Sequence, residues 1–194
     1  MNVRWLVFSA AAALCLSSGT ASFAGSSSWL DKKPVPTWNK AGAALPHAGK
    51  GDPENAAHCT SGVRKAASPE DRLVAAAGWK LVGARQSFET TSVVEAAAGF
   101  DGMCRWAGYQ AFVFAGGVFA GTLAPKAMDS RSDGALDEVH LTSAKQFTAQ
   151  FTRYADSDPL CCPSRTSYVT YSLLHGSRGS VVIASDVATA AAGH

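Results

Sequence analysis

The chain has 194 residues, of which 17 are Lys or Arg, 15 are Asp or Glu and 5 are His, giving a formal net charge of +2. That balance excludes a strongly basic nucleic-acid binder and an acidic tail protein alike, and the length suits one domain of ordinary size or at most two small ones. Charged residues make up 16% of the chain, below the roughly 25% usual for globular proteins; alanine- and glycine-rich stretches, not a membrane span, contribute to the deficit.

The first element is an export signal. Arg4 precedes an apolar run from Trp5 to Leu16, and small polar residues follow, the order of a secretory signal peptide. Ser22-Phe23-Ala24 satisfies the small-x-small cleavage rule, which predicts removal of residues 1–24 and a mature start at Gly25. The run is too short to cross the ~30 Å core of a bilayer as a helix, so no transmembrane span is expected. A lipidated cysteine needs a small residue directly before it. Leu14 stands before Cys15, which argues against a lipid anchor and makes Cys15 part of the signal core.

Residues 25–66 read as an irregular segment, broken by Pro34, Pro36, Pro46, Gly49, Gly51 and Pro53. Trp29 and Trp38 are the residues that would pin it to the domain behind. A single α+β domain is expected over residues 67–187. It opens with a short helix: Ser68 is an N-cap, Pro69 sits at N1, Glu70 and Asp71 lie in the first turn, and Gly78 is the stop. Strand patterns follow at residues 79–85, 90–96, 109–115, 118–123, 136–142, 146–154, 168–174 and 180–184. Gly116-Gly117 and residues 175–179 are hairpin turns. Phe147, Ala149 and Phe151 alternate with Thr148, Gln150 and Thr152, which marks a half-buried strand. These two phenylalanines, with Phe112, Phe114 and Phe119, are core residues by their spacing. One helix ahead of about six to eight meandering strands predicts an α+β fold with an antiparallel, hairpin-rich sheet, and residues 188–194 are expected to fray.

Beyond the signal the chain holds Cys59, Cys104, Cys161 and Cys162. In an oxidising compartment such an even set reads as two disulfides. A bond between Cys161 and Cys162 closes a strained ring across one peptide, and neighbours on an extended segment point to opposite faces. The expected pairing therefore takes Cys161 and Cys162 separately to Cys104 and Cys59, in either order, stapling the domain with ~2–4 kcal/mol per bond.

Two loops hold the unusual residues. In residues 124–134, Asp129, Arg131 and Asp133 imitate the start of a calcium loop. Arg131 occupies a ligand position, however, and His140 the place of the bidentate glutamate, so no metal is expected. The aspartates are expected to satisfy backbone donors and Arg131 to pair with a carboxylate. In residues 156–165, Pro159 and Pro163 flank the two adjacent cysteines, beside Asp158 and Arg165. Asp129, Arg131, Asp133, Asp158 and Arg165 are thus the candidate binding residues. The chain has no C-x-x-C pair, no G-x-S-x-G elbow, no phosphate loop and no histidine cluster, so neither catalysis nor a cofactor is expected.

Asp101-Gly102-Met103-Cys104-Arg105, residues 112–122, residues 128–134 and the run Asp158-Pro159-Leu160-Cys161-Cys162-Pro163-Ser164-Arg165 resemble the LppP/LprE lipoprotein family of bacteria, over roughly residues 68–175. The resemblance implies an exported cell-envelope protein of uncharacterised role, with no family catalytic residue to carry over. It also implies a lipid anchor, from which Leu14-Cys15 departs. The resulting expectation is a periplasmic or secreted, non-enzymatic binding or structural module whose two loops meet an envelope protein or a small ligand. The alternative is a periplasmic thiol-redox or metal-binding protein using Cys161 and Cys162.

Overall fold

Two antiparallel sheets, a short helical layer and an N-terminal strap form the computed structural model, which describes residues 1, 28–159 and 161–192. The expected signal core, Cys15 and the cleavage site lie outside the described residues, as do Leu160 and residues 193–194.

Local sequence accounts for both helices. The first, α1 (Pro53–His58), lies inside the segment expected to be irregular. Asp52 accepts the Glu54 N–H at 2.9 Å and Pro53 stands in the first turn, a start signal like that at Ser68 but followed by only six helical residues. In α2 (Pro69–Ala76), the Ser68 hydroxyl accepts the Asp71 N–H at 3.1 Å and the Asp71 carboxylate accepts the Ser68 N–H at 3.3 Å. This is a capping box, and Arg64 reinforces it by donating from both Nη atoms to the buried Asp71 at 2.7 Å each.

The first sheet holds β1 (Lys80–Leu81), β2 (Gln86–Phe88), β3 (Thr91–Phe100), β4 (Trp106–Ala115) and β5 (Val118–Thr122). Both β1 and β2 pair with β3, β3 with β4, and β4 with β5. The strand expected at 79–85 is interrupted, because Gly83 takes φ +60°, a left-handed conformation that breaks a ladder. Gly116 and Gly117, both at positive φ, make the expected tight turn between β4 and β5. The second sheet is a meander of β6 (Ala135–Leu141), β7 (Gln146–Arg153), β8 (Arg165–Gly176) and β9 (Gly179–Ala191). Residues 188–191, expected to fray, continue β9 and pair with residues 165–168 of β8.

The expectation of one sheet of six to eight strands is corrected to nine strands in two packed sheets. Side-chain alternation explains the layering. Val93, Ala97, Tyr109, Ala111 and Val113 of the first sheet share a core with Val139, Phe147, Phe151, Val169, Tyr171 and Val182 of the second. The alternate residues Val94, Ala96, Ala98, Phe112 and Phe114 face Val74 of α2 and Trp79. Every residue of β3 is consequently buried, whereas β7 alternates between core and outer face as its pattern predicts. Helix is scarce, so α+β describes the fold only coarsely.

The strap closes the open side. Trp29 and Leu30 are buried in the shared core, where the Trp29 ring meets Trp38 at 5.1 Å and Phe151 at 5.9 Å. Trp29 and Trp38 thus pin the segment as expected. Asp31 receives both Nη groups of the buried Arg153, at 2.6 and 2.7 Å. Asn39 joins the two sheets: its amide N–H donates to the Thr122 carbonyl of β5 at 2.8 Å and the Val182 carbonyl of β9 at 3.0 Å, while its oxygen accepts the Thr122 N–H. This close approach requires Gly121, because a β-carbon there would lie 2.5 Å from Asn39 Cγ and 2.7 Å from Val182 Cγ1.

Candidate functional site

Both candidate loops converge on one end of the sandwich, around Tyr154 at the exit of β7. In the first loop, Asp129 accepts the Gly108 N–H at 2.7 Å and Asp133 accepts the Asp129 N–H at 2.9 Å. Asp133 thus holds the loop's own backbone, as expected for a turn, while Asp129 ties the loop to β4. Tyr109 anchors the same loop by donating its hydroxyl to the Gly134 carbonyl at 2.6 Å.

Arg131 departs from expectation. With both aspartates turned to backbone donors, it makes no ion pair among the described residues. Its guanidinium carbon instead lies 3.9 Å above the centre of the Tyr154 ring, a cation–π arrangement.

In the second loop, Asp158 accepts the Ala155 N–H at 2.6 Å and the Ser164 N–H at 2.9 Å. The Ala155 bond is the main cause holding this carboxyl below its usual range. Asp158 therefore clamps the loop shut and does not present itself to a ligand. Arg165 donates from Nη2 to the Tyr154 carbonyl at 2.9 Å. Of the five residues singled out by sequence, the structure brings Arg131 and Arg165 together and assigns the three aspartates to the scaffold.

A third arginine completes the site. Arg105 pairs with Asp101 at 2.6 Å through Nε, and its guanidinium also faces Tyr154. It lines a cavity of about 200 Å³ with Trp106, Ser130, Leu136, Thr152 and Tyr154. Two guanidinium N–H groups here, Arg105 Nη1 and Arg165 Nε, are shut off from solvent without an acceptor among the described residues, a condition that costs ~1–3 kcal/mol per group. Sequence reasoning missed Arg105, Trp106 and Tyr154. The only signal for Arg105 was its place in the Asp101–Arg105 run, and Tyr154 is simply the last residue of a strand pattern.

Behind Trp106 lies Glu95 of β3, buried on the face shared with Val93 and Ala97. Its carboxylate and the edge of Trp106 fill the space beside Gly83. Burial pushes this carboxyl up to about 7 against a weaker pull from Arg64, whose Nη atoms are both engaged by Asp71.

The cysteines do not pair as expected. Cys59 caps the end of α1 and bonds to Cys104 in the β3–β4 turn, with their Cα atoms 5.2 Å apart, inside the range a disulfide needs. Cys161 and Cys162 bond to each other. The reason is position: α1 packs on β3, at the turn that carries Cys104, while the adjacent pair sits exposed by the outer face of the second sheet. There it walls a shallow hollow of about 570 Å³ with Asp137, Gln150, Thr152 and Tyr168. Thr152 borders both this hollow and the arginine-lined cavity. Among the described residues, only the Cys59–Cys104 bond staples distant parts of the chain.

Among the described residues, no group of His, Cys, Asp and Glu side chains is arranged to hold a metal ion, and no helix is long and apolar enough to cross a membrane. Residues 87–174 match the family model described as LppP/LprE lipoprotein, the stretch in which all four resembling motifs lie. No curated protein and no solved structure matches the chain.

Proposed function

We infer that this chain, whose residues 87–174 match the LppP/LprE lipoprotein family model, is an exported, envelope-associated, non-enzymatic domain that binds a partner or small ligand at the Tyr154 end of its sandwich. The observation that carries this reading is the convergence of two separate loops on one residue: Arg131 over the ring of Tyr154 and Arg165 on its carbonyl, beside a cavity. Loops held on a rigid sheet scaffold are where such domains bind, and the aspartates fix both loops through backbone N–H groups rather than through ion pairs with Arg131 or Arg165. The family match and the Cys59–Cys104 bond support an oxidising, extracytoplasmic setting.

The test is capture from a fractionated envelope extract, with soluble components and small molecules scored separately. The wild-type domain is expected to retain a component that Arg131→Ala loses. Equal retention by both proteins, or none above background by either, overturns the reading.

A further inference from the structure

We propose that the hollow walled by Cys161 and Cys162, on the outer face of the second sheet, binds an uncharged sugar ring, with Tyr168 as the platform under the ring and Asp137 and Gln150 as the residues that read its hydroxyls. The hollow shares only Thr152 with the Tyr154 cavity, and the proposal does not depend on the role inferred there.

Strand register builds the hollow. Tyr168 stands on β8, an inner strand of its sheet, directly across from Gln150 of β7 and Ala188 of β9. It is 48% exposed, and among the described residues its hydroxyl has no hydrogen bond and its ring no aromatic contact. Ala188 and Ala190, its neighbours on β9, are too small to cover it. Thr166 lies on the same face as Tyr168, as residues two apart on a strand do, yet it is only 5% exposed. It lines the hollow together with Cys161, Cys162 and Pro163, so the cysteine loop stands over this end of the outer face, and the bond between the two sulfurs ties the wall together. The recess of about 570 Å³ falls within the ~300–1,000 Å³ of ligand pockets.

An exposed tyrosine alone says little; the groups around it define the ligand. A sugar ring has C–H groups on its faces and hydroxyls round its rim. Tyr168, Pro163 and the disulfide supply apolar surface, the sulfurs being soft and polarizable. Gln150 donates from Nε2 to Asp137 Oδ2 at 3.2 Å. The pair keeps a carboxylate oxygen, an amide oxygen and one amide N–H without a protein partner among the described residues. Acceptors and a donor side by side match neighbouring hydroxyls, each of which both donates and accepts. Asp137 is the only charged residue among those described that line the hollow, so an anion meets repulsion with no cation to offset it. A single aromatic ring, with the carboxylate already engaged by Gln150, falls short of the aromatic cage that holds an ammonium. An uncharged ring fits what is left.

The test is an amide-resolved NMR titration of the oxidised protein with glucose, galactose and mannose, their three uronates, and choline. At least one neutral sugar is expected to shift the amides of Gln150, Cys162 and Tyr168 at millimolar concentration and to leave the Trp106 indole in place. Its uronate is expected to bind at least about fivefold more weakly at low salt, a gap that salt narrows. Tyr168→Ala is expected to weaken the sugar at least about tenfold through lost apolar contact, Tyr168→Phe to keep most of the affinity, and Asp137→Asn to bring sugar and uronate closer together. Cys161→Ser with Cys162→Ser is expected to weaken the sugar severalfold at an unchanged urea midpoint, which shows that the fold is intact. No response to any neutral sugar, tighter binding of choline or of a uronate, or a response that survives Tyr168→Ala overturns the proposal. A sugar response centred on Trp106 and lost with Arg131→Ala also overturns it, and moves the sugar to the Tyr154 cavity.

Discussion

Replacing Glu95 by Gln isolates the energetic consequence of a carboxylate placed inside the first sheet. The side chain is 8% exposed and has no ion-pair partner among the described residues, so its carboxyl rises from 4.5 to about 7. The folded protein then holds this proton more tightly than the unfolded chain. Below about 4.5 both states are protonated and the site costs nothing. Between 4.5 and about 7 the unfolded carboxyl ionises while the folded one does not, so stability falls as pH rises. Above that window both are ionised and the full penalty remains. At 1.36 kcal/mol per pH unit the penalty is roughly 3 kcal/mol.

Gln keeps the shape without the charge. The variant is expected to match the wild type near pH 4.5 and to exceed it at pH 8 by about 1–3 kcal/mol, allowing for the cost of burying an amide. Urea unfolding followed by tryptophan fluorescence reads this, since Trp106 and the Glu95 carboxylate both border Gly83. Other groups titrate over the same range and cancel in the difference between the two proteins. Parallel stability profiles from pH 4.5 to 8, or a variant less stable at pH 8, would refute the burial argument.

Gly121→Ala is expected to destabilise the domain by at least ~2 kcal/mol, through overpacking and a backbone at φ +139°; the same urea assay measures it, and a neutral result would mean that Asn39 does not join the two sheets. Intact-mass analysis with thiol alkylation under denaturing conditions is expected to find Cys59, Cys104, Cys161 and Cys162 all unmodified before reduction, and any free thiol among them contradicts the pairing. Cys59→Ser with Cys104→Ser is expected to lose about 4 kcal/mol, as for a closed loop of this length, while Cys161→Ser with Cys162→Ser leaves urea stability nearly unchanged.

What could be read in advance was local. Ser68, Pro69 and Asp71 lie within one helical turn, and their capping chemistry is complete in itself. Gly116-Gly117 specify their turn, and the alternation of Phe147, Ala149 and Phe151 specifies which face of β7 is buried. What could not be read depended on distant partners. Phe112 and Phe151 look alike as strand aromatics, yet they belong to different core layers, a distinction made only by where α2 packs. Ring strain alone disfavours a Cys161–Cys162 bond, but reach decides the pairing, because α1 brings Cys59 beside Cys104. Tyr154 carries no motif of its own; it matters because Arg131 and Arg165 arrive on either side of it.

The N-terminal strap also orders events in time. Asp31 finds Arg153 across 122 residues, and Asn39 finds Val182 across 143. Contacts of such long range add closure entropy and slow folding. A chain that emerges strap-first exposes Trp29 and Leu30 long before the sheet that shelters them exists. The meander of β6 to β9 can zip through neighbouring hairpins, but Asn39 has no second carbonyl to bind until β9 is in place. The strap, although it precedes both sheets in the sequence, is thus the last to lock, and until it does the β5 and β9 edges stand open to other chains.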